Sequence, residues 1–286
     1  AGKDHPAGRF YTLNSVKKTG ISDVKNFYET FFLPQNCILV VAGNFDPEKF
    51  RNRWFDILSK WTGISETKPV YALPVQVPSR VVKLIDKPTL TQASIMIGHA
   101  APGELFAHRN EVALSNYILG AGNFSSRLMS RVRSADGKTY GISSQIASER
   151  QFGAFSITTS TQNSQLGGVL KSILEVLDDF CKNGVSDSEL EKAKQFVTGN
   201  MAFQLEGIGN IAEKLLWLRF YDRPNSYIEN FDSIIDQITL EGVNQAIRDH
   251  FSVENLIIVV VGKKVELLPQ LKEFGPLSVY HFRDKI

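Results

Sequence analysis

Residues 119–144 read LGAGNFSSRLMSRVRSADGKTYGISS, a segment that predicts a loop, a short helix and a strand in that order. Two glycines in the loop are followed by Ser125 and Ser126, which can cap a helix. The next apolar residues stand at helical spacing between arginines, so they predict a short, basic, amphipathic helix. Asp136-Gly137 ends that helix, because glycine tolerates the positive φ that closes it. Residues 139–143 are typical of a strand.

Arg133 and Tyr140 are brought near each other by this pattern. Arg133 lies in the last turn of the predicted helix, and Tyr140 stands at the start of the predicted strand, seven residues later. A tight turn between them would let a guanidinium and a phenol donate hydrogen bonds to one carbonyl or oxyanion. Taken singly, each residue has an ordinary explanation, a solvated helix arginine or a half-buried strand tyrosine. We expect Arg127 and Arg131 to solvate the helix.

The same residues resemble the second-half motif of the pitrilysin/insulinase (M16) family of zinc peptidases. The resemblance rests on the run LGAGNFSSRL from residue 119, on Arg133, and on Gly137 and Tyr140 at four and seven residues beyond it. It implies that Arg133 and Tyr140 are catalytic residues that hold the substrate against a zinc site built by the other half of the molecule. The loop residues to which we assign substrate binding are Gly120, Gly122, Asn123 and Phe124.

Composition places the chain among ordinary globular proteins. Its 286 residues are 43% hydrophobic and carry a net charge of +2, so neither a nucleic acid nor a membrane surface is indicated as a partner. The longest apolar runs are far shorter than a membrane span requires. Cys37 falls in a predicted strand and Cys181 near the end of a predicted helix, so we expect two buried free thiols rather than a disulfide.

The order of the predicted elements indicates an α+β fold, an α/β sandwich with a mostly antiparallel sheet and helices on one face. The N-terminal region predicts helices over 21–32 and 46–61, with an apolar strand over 37–42 between them. Proline recurs and periodicity disappears around residues 68–78, which we interpret as a linker. The predicted domains are residues 1–67, the C-terminal remnant of a first unit, and residues 79–286, a complete second unit.

An internal repeat supports this division. Residues 24–43 and 243–262, offset by 219, are identical at seven of twenty positions, which include the pair Asn36/Asn255 and the pair Gly43/Gly262. Apolar identities arise easily in any helix, turn and strand, but the shared turn asparagine and terminal glycine do not. The offset predicts a duplicated unit whose first copy lacks roughly 140 residues in this chain.

The zinc motif of the family, HxxEH, does not occur in the sequence. The five histidines include no two that stand four residues apart, and His108, followed by Glu111 and Val112, lacks the second histidine. The resemblance therefore implies that zinc belongs to an HxxEH-bearing partner subunit or upstream segment, with a peptide or unfolded polypeptide as substrate. The same resemblance favours the bacterial periplasm as the compartment of the protein. The alternative is a catalytically silent scaffold subunit, similar to the core proteins of respiratory complexes.

Overall fold

The computed structural model describes His5, residues 8–64 and residues 76–284. Two compact units are formed, one by residues 1–73 with 200–229 and the other by residues 74–199 with 230–286. Most of the predicted linker, residues 68–75, lies outside the described residues. The domain limits inferred from the repeat, 1–67 and 79–286, remain predictions.

Eleven α-helices and six strands are assigned within the described residues. The helices are α1 (Leu13–Lys18), α2 (Ile21–Phe31), α3 (Pro47–Leu58), α4 (Arg109–Asn116), α5 (Leu166–Asn183), α6 (Asp187–Gln204), α7 (Ile208–Phe220), α8 (Ser226–Glu229), α9 (Phe231–Asp236), α10 (Leu240–His250) and α11 (Lys264–Leu271). The strands are β1 (Val81–Asp86), β2 (Gln92–Pro102), β3 (Ile142–Ser148), β4 (Phe152–Gln162), β5 (Ile257–Gly262) and β6 (Leu277–His281). None of the described helices is long and apolar enough to cross a bilayer.

The six strands form one sheet in the order β3-β4-β2-β5-β1-β6. Three of the five neighbouring pairs are antiparallel, and β1 runs parallel to both β5 and β6. In β2, Ala93, Ile95 and Ile97 are buried, whereas the residues between them face away, as the period of two requires. The buried face packs beneath helices such as α5, whose apolar stripe is inaccessible to solvent. The predicted fold class is confirmed.

In the N-terminal region the predicted helices form, but the predicted strand does not. α2 and α3 form as expected, yet residues 37–42 belong to neither a helix nor a strand. A strand needs a neighbour that completes its backbone hydrogen bonds, and all the strands that the structure describes lie in the other unit. The predicted strand over 37–42 is therefore wrong in this structure, and the duplication stays a prediction.

The two cysteines differ from the expectation of buried thiols. Both are free, but Cys37 is exposed and Cys181 is half-buried. Cys37 is exposed, and the strand that was predicted to bury it does not form. Burial, reinforced by the neighbouring Asp178 carboxylate, raises the pKa of the Cys181 thiol to about 11, so this sulfur stays protonated at neutral pH.

Arg127 joins the arginine-rich helix to the connection between α5 and α6. Its Nε and Nη2 donate to the two carboxylate oxygens of Glu189 at 2.7 and 2.8 Å, and Nη2 also donates to the Gly184 carbonyl oxygen at 2.9 Å. The Arg127 side chain is only 22% exposed. The expectation that Arg127 merely solvates the helix is wrong, because the predicted helix packs close enough to α6 for a bidentate ion pair.

Replacing Glu189 with glutamine should destabilise this unit in a pH-dependent way. The hydrogen bonds from Arg127, and then those from Ser186, hold the pKa of the Glu189 carboxyl at about 2, against an ordinary value of 4.5. The ionised form therefore stabilises the fold above pH 4.5, and this contribution is lost as the pH falls toward about 2. We expect Glu189→Gln to lower the free energy of unfolding by about 1–2 kcal/mol at pH 7, allowing for solvent screening.

Urea denaturation at pH 7 and at pH 3 measures this effect, and Glu241→Gln is the matched control. Glu241 also pairs with an arginine, Arg248, but its side chain is 79% exposed, so its loss should cost about 0.5 kcal/mol or less. Equal effects of the two substitutions at pH 7 would contradict the assigned role of Glu189.

Candidate functional site

The helix that carries Arg133 is wider than an α-helix. Residues Met129–Ala135 form π-helical turns, as do residues Tyr117–Ala121 in the preceding segment. Such turns are rare and are found frequently at functional sites. Gly137 adopts a φ of +64° and its N–H donates to the Arg133 carbonyl oxygen at 3.0 Å. The helix therefore ends at Asp136-Gly137 as the sequence predicts.

Tyr140 lies before the edge strand rather than in it. Its side chain is 91% exposed, and β3 begins only at Ile142. The cause lies in β4, where the Thr161 and Thr159 hydroxyls donate to the carbonyl oxygens of Lys138 and Gly141 at 2.6 and 2.8 Å. These side-chain bonds replace the first ladder bonds, so the predicted strand over 139–143 starts three residues late.

Arg133 and Tyr140 nevertheless come together, with Phe124 as a third member. The guanidinium carbon of Arg133 lies 4.5 Å from the Phe124 ring centroid and 5.7 Å from the Tyr140 ring centroid. Phe124 is 68% exposed. Within the described part of the chain, no carboxylate forms an ion pair with Arg133. The site is thus a half-buried cation held against two exposed aromatic rings.

The glycine-rich loop divides into buried and exposed members. Gly120 and Gly122 are buried, and a Cβ atom on Gly120 would lie 2.7 Å from the backbone nitrogen of Ser144 in β3. Close approach to the protein's own backbone is thus what Gly120 permits. Asn123 and Phe124 are exposed, and Asn123 has a φ of +49°, a conformation that asparagine tolerates. Of the four predicted substrate-binding residues, these two are open to solvent.

Sequence reasoning placed Phe124 in the loop but missed its stacking on Arg133. Nine residues separate the two, and the wide turns that bring them together have no signature in the sequence. The predicted pairing of Arg133 with Tyr140 came from a spacing of seven residues across one tight turn. The contact of Phe124 with Arg133 depends instead on the path of the whole loop.

No metal centre is formed by the residues that the structure describes, among which no cluster of three or more His, Cys, Asp or Glu side chains is suited to hold an ion. His108 is 66% exposed, and its Nδ1 lies 3.2 Å from a carboxylate oxygen of Glu111. This pair stands at the start of α4, as expected for an ordinary exposed helix end.

Comparison with known proteins gives a consistent family. Residues 20–197 match the family described as the peptidase M16 inactive domain. The chain is similar to an "uncharacterized zinc protease" of Mycobacterium leprae, at 24% identity over 84% of this chain and 55% of that protein. It is also similar to a "non-peptidase homolog" of Helicobacter pylori, at 23% identity over 88% of this chain and 58% of that protein.

Among solved structures, a peptidase M16 inactive domain from Pseudomonas fluorescens superposes with a TM-score of 0.79. Its sequence is 26% identical, and the match covers 88% of this chain and 59% of that chain. The chain thus spans little more than half the length of the relatives it matches.

Gly120→Ala should disturb the site through packing alone. The added Cβ would also lie 2.5 Å from the Ser144 hydroxyl oxygen, so loop and strand must separate, and we expect a loss of about 1–3 kcal/mol in the free energy of unfolding. Thermal and urea denaturation measure the loss. The control is Gly199→Ala in α6, where a Cβ meets nothing within 4 Å and alanine should stabilise by about 0.5–1 kcal/mol. Equal changes in the free energy of unfolding for the two substitutions would contradict a role of the close approach in stability.

Proposed function

The chain belongs to the family of peptidase M16 inactive domains, and on that premise we propose that it is the non-metal half of a zinc peptidase. In this proposal Arg133 and Tyr140 donate hydrogen bonds to a carbonyl oxygen of the peptide substrate near the scissile bond. The observation that carries the proposal is the stacked Arg133 cation, whose charge no carboxylate of the described residues neutralises.

The chemistry of the pair suits a developing oxyanion. A guanidinium stacked on aromatic rings keeps its N–H groups in a fixed plane and available at its edge. The Tyr140 phenol is an exposed hydroxyl that can donate to the same oxygen. Donors held in place before the reaction stabilise negative charge as it develops, without a cost of reorganisation. The exposed Asn123 and Phe124 would contact the flanking peptide, with Gly120 and Gly122 shaping the loop behind them.

Zinc chemistry, which polarises the carbonyl and activates water, is assigned in this proposal to an HxxEH-bearing partner subunit or upstream segment. The support is the family assignment together with the length of the relatives, of which this chain covers 55–58%. The substrate class would be a peptide or an unfolded polypeptide. We also propose the bacterial periplasm as its compartment, which the family resemblance favours.

The N-terminal unit supports the presence of such a partner. Its described residues expose many large apolar side chains, which include Phe27, Leu39, Phe55 and Ile64 at 58, 64, 65 and 86%. Large exposed apolar patches on soluble proteins often mark interaction surfaces. We propose that the HxxEH-bearing half covers this surface and completes the fold of the N-terminal unit, including the unpaired segment 37–42.

A scaffold role is the second candidate. It is supported by the similarity to a Helicobacter pylori protein described as a non-peptidase homolog. The presence of both Arg133 and Tyr140 in one solvent-open cluster weighs against it, because a scaffold has no use for an unneutralised, stacked cation. The zinc content of the full-length protein, or of its natural complex, separates the two candidates.

The 286-residue chain purified alone should neither hold stoichiometric zinc nor cleave peptides. A tight site needs at least three protein ligands, and His108 with Glu111 supplies two at most. Metal analysis after dialysis, with a fluorogenic peptide assay on the same sample, measures both properties. One zinc per chain that disappears in His108→Ala would contradict the assignment of the metal to another segment.

In the assembly that contains the HxxEH segment, Tyr140→Phe should lower kcat/KM by about ten- to a thousandfold, because one transition-state hydrogen bond is lost. Arg133→Ala should lower it at least as much, since a charged donor disappears. Steady-state kinetics on a peptide substrate measure both effects, with zinc content and thermal stability unchanged.

Matched controls come from outside the cluster. Tyr280→Phe in β6 and Arg248→Ala in α10 change the same residue types at other places in the unit. Both should leave kcat/KM within about twofold of the wild type. Full activity in the Arg133→Ala, Tyr140→Phe double variant would leave the scaffold role as the better explanation.

A further inference from the structure

Asp136 stands between Arg133 and Tyr140, and its carboxylate accepts hydrogen bonds from three side chains. Arg131 Nη1 donates to Oδ1 at 2.6 Å, while Lys138 Nζ and Ser172 Oγ donate to Oδ2 at 2.9 and 2.6 Å. The Asp136 side chain is 9% exposed. We call Asp136, Arg131, Lys138 and Ser172 the Asp136 cluster.

The cluster attaches the turn to a long helix of the core. Ser172 lies in the middle of α5 and is buried. Lys138 reaches the same helix, since its Nζ lies 3.4 Å from the Gly168 carbonyl oxygen. On the other side of the turn, Thr161 of β4 donates to the Lys138 carbonyl oxygen at 2.6 Å. The backbone from residue 136 to residue 138 is therefore fixed to both the helical layer and the sheet.

An aspartate at this position is not explained by helix capping. A carboxylate at the C-terminal end of a helix opposes the helix dipole and costs about 0.3–1 kcal/mol at an exposed site. Gly137 already supplies the positive φ that ends the helix. The three donors compensate the unfavourable charge, and the Ser172 hydroxyl followed by the Lys138 ammonium keeps the pKa of the Asp136 carboxyl below its ordinary value of 3.8. The carboxylate thus remains ionised throughout the neutral range.

The position of Asp136 links this cluster to the candidate site. Its own N–H donates to the Arg131 carbonyl oxygen at 3.1 Å, and the next N–H, of Gly137, donates to the Arg133 carbonyl oxygen at 3.0 Å. Rotation of this turn would move Arg133 and Tyr140 in different directions, because one precedes it on a helix and the other follows it toward a strand. The stacked arrangement therefore depends on the turn being held.

The cluster also determines which cation remains available. Arg131 and Lys138 both form ion pairs with Asp136, and Arg131 also pairs with Glu175 at 3.5 Å, whereas Arg133 forms no ion pair within the described residues. Without the Asp136 carboxylate, Lys138 would lose its ion-pair partner and Arg131 would keep only Glu175, so the positive charge of the turn that carries Arg133 would be less compensated.

We propose that Asp136 is a positioning residue, which holds the Arg133 guanidinium between Phe124 and Tyr140 and pairs with the neighbouring cations Arg131 and Lys138. The structural part of this inference stands by itself, and its catalytic consequence rests on the proposed function.

The structural part is tested by NMR on the 286-residue chain. The aromatic rings beside Arg133 should shift its Nε–Hε resonance upfield, and Arg133→Lys assigns the signal. We expect Asp136→Ala, and to a smaller extent the conservative Asp136→Asn, to move the resonance toward its unshifted position. Phe124→Leu should do the same as a positive control. Asp178→Asn is the matched negative control, because Asp178 also lies on α5 and accepts a hydrogen bond from Lys182 but does not belong to the Asp136 cluster.

The catalytic part is tested in the HxxEH-containing assembly. Asp136→Ala should lower kcat by about ten- to a hundredfold, the span expected for a misplacement near 1 Å, with a smaller change in KM. Asp178→Asn should leave both constants unchanged.

The outcomes separate the inference from the proposed function. A wild-type assembly without peptidase activity contradicts the proposed function, and the NMR result then decides the structural part by itself. An active assembly in which Asp136→Ala folds and keeps both the shifted Arg133 resonance and the wild-type kcat overturns the positioning role. Loss of the shift in Asp136→Ala but not in Asp178→Asn supports it, and the melting temperature of Asp136→Asn shows whether folding is intact.

Discussion

The contact of Gly120 with Ser144 is the constraint on which the rest of the site depends. A side chain at residue 120 would collide with the strand backbone, so the loop reaches β3 only because glycine lacks a Cβ atom. This close approach fixes the height of the loop above the sheet. Phe124, which stacks on the Arg133 guanidinium, lies four residues further along the same loop.

Charge is distributed around the site in an uneven way. Arg127 is paired with Glu189, and Arg131 and Lys138 share Asp136. In the described residues, Arg133 is left with aromatic rings rather than a carboxylate. An arginine that is stacked but not neutralised retains its hydrogen-bonding edge for a ligand. The neighbouring ion pairs therefore stabilise the scaffold without using the group that the family resemblance assigns to substrate.

The two units differ in how far each completes its own core. The sheet-containing unit buries large side chains such as Phe155, Phe180 and Leu84 almost completely. In the N-terminal unit, helices α1, α2 and α3 contain no buried residues, so no second layer covers their apolar stripes. The chain covers little more than half of its relatives, and the half that it does not cover is the proposed source of that second layer.

The sequence by itself determined the features that depend on local period and on single residues. These are the N-terminal helices α2 and α3, the end of the helix at Gly137 and the nearness of Arg133 to Tyr140. Tertiary structure decided what depends on a distant partner. Residues 37–42 have the composition of a strand but no neighbouring strand in the described residues. Tyr140 lies outside β3, where threonine hydroxyls of β4 donate to the carbonyl oxygens of Lys138 and Gly141. Periodicity records which side of an element is apolar, whereas hydrogen bonds between distant segments depend on the path of the whole chain.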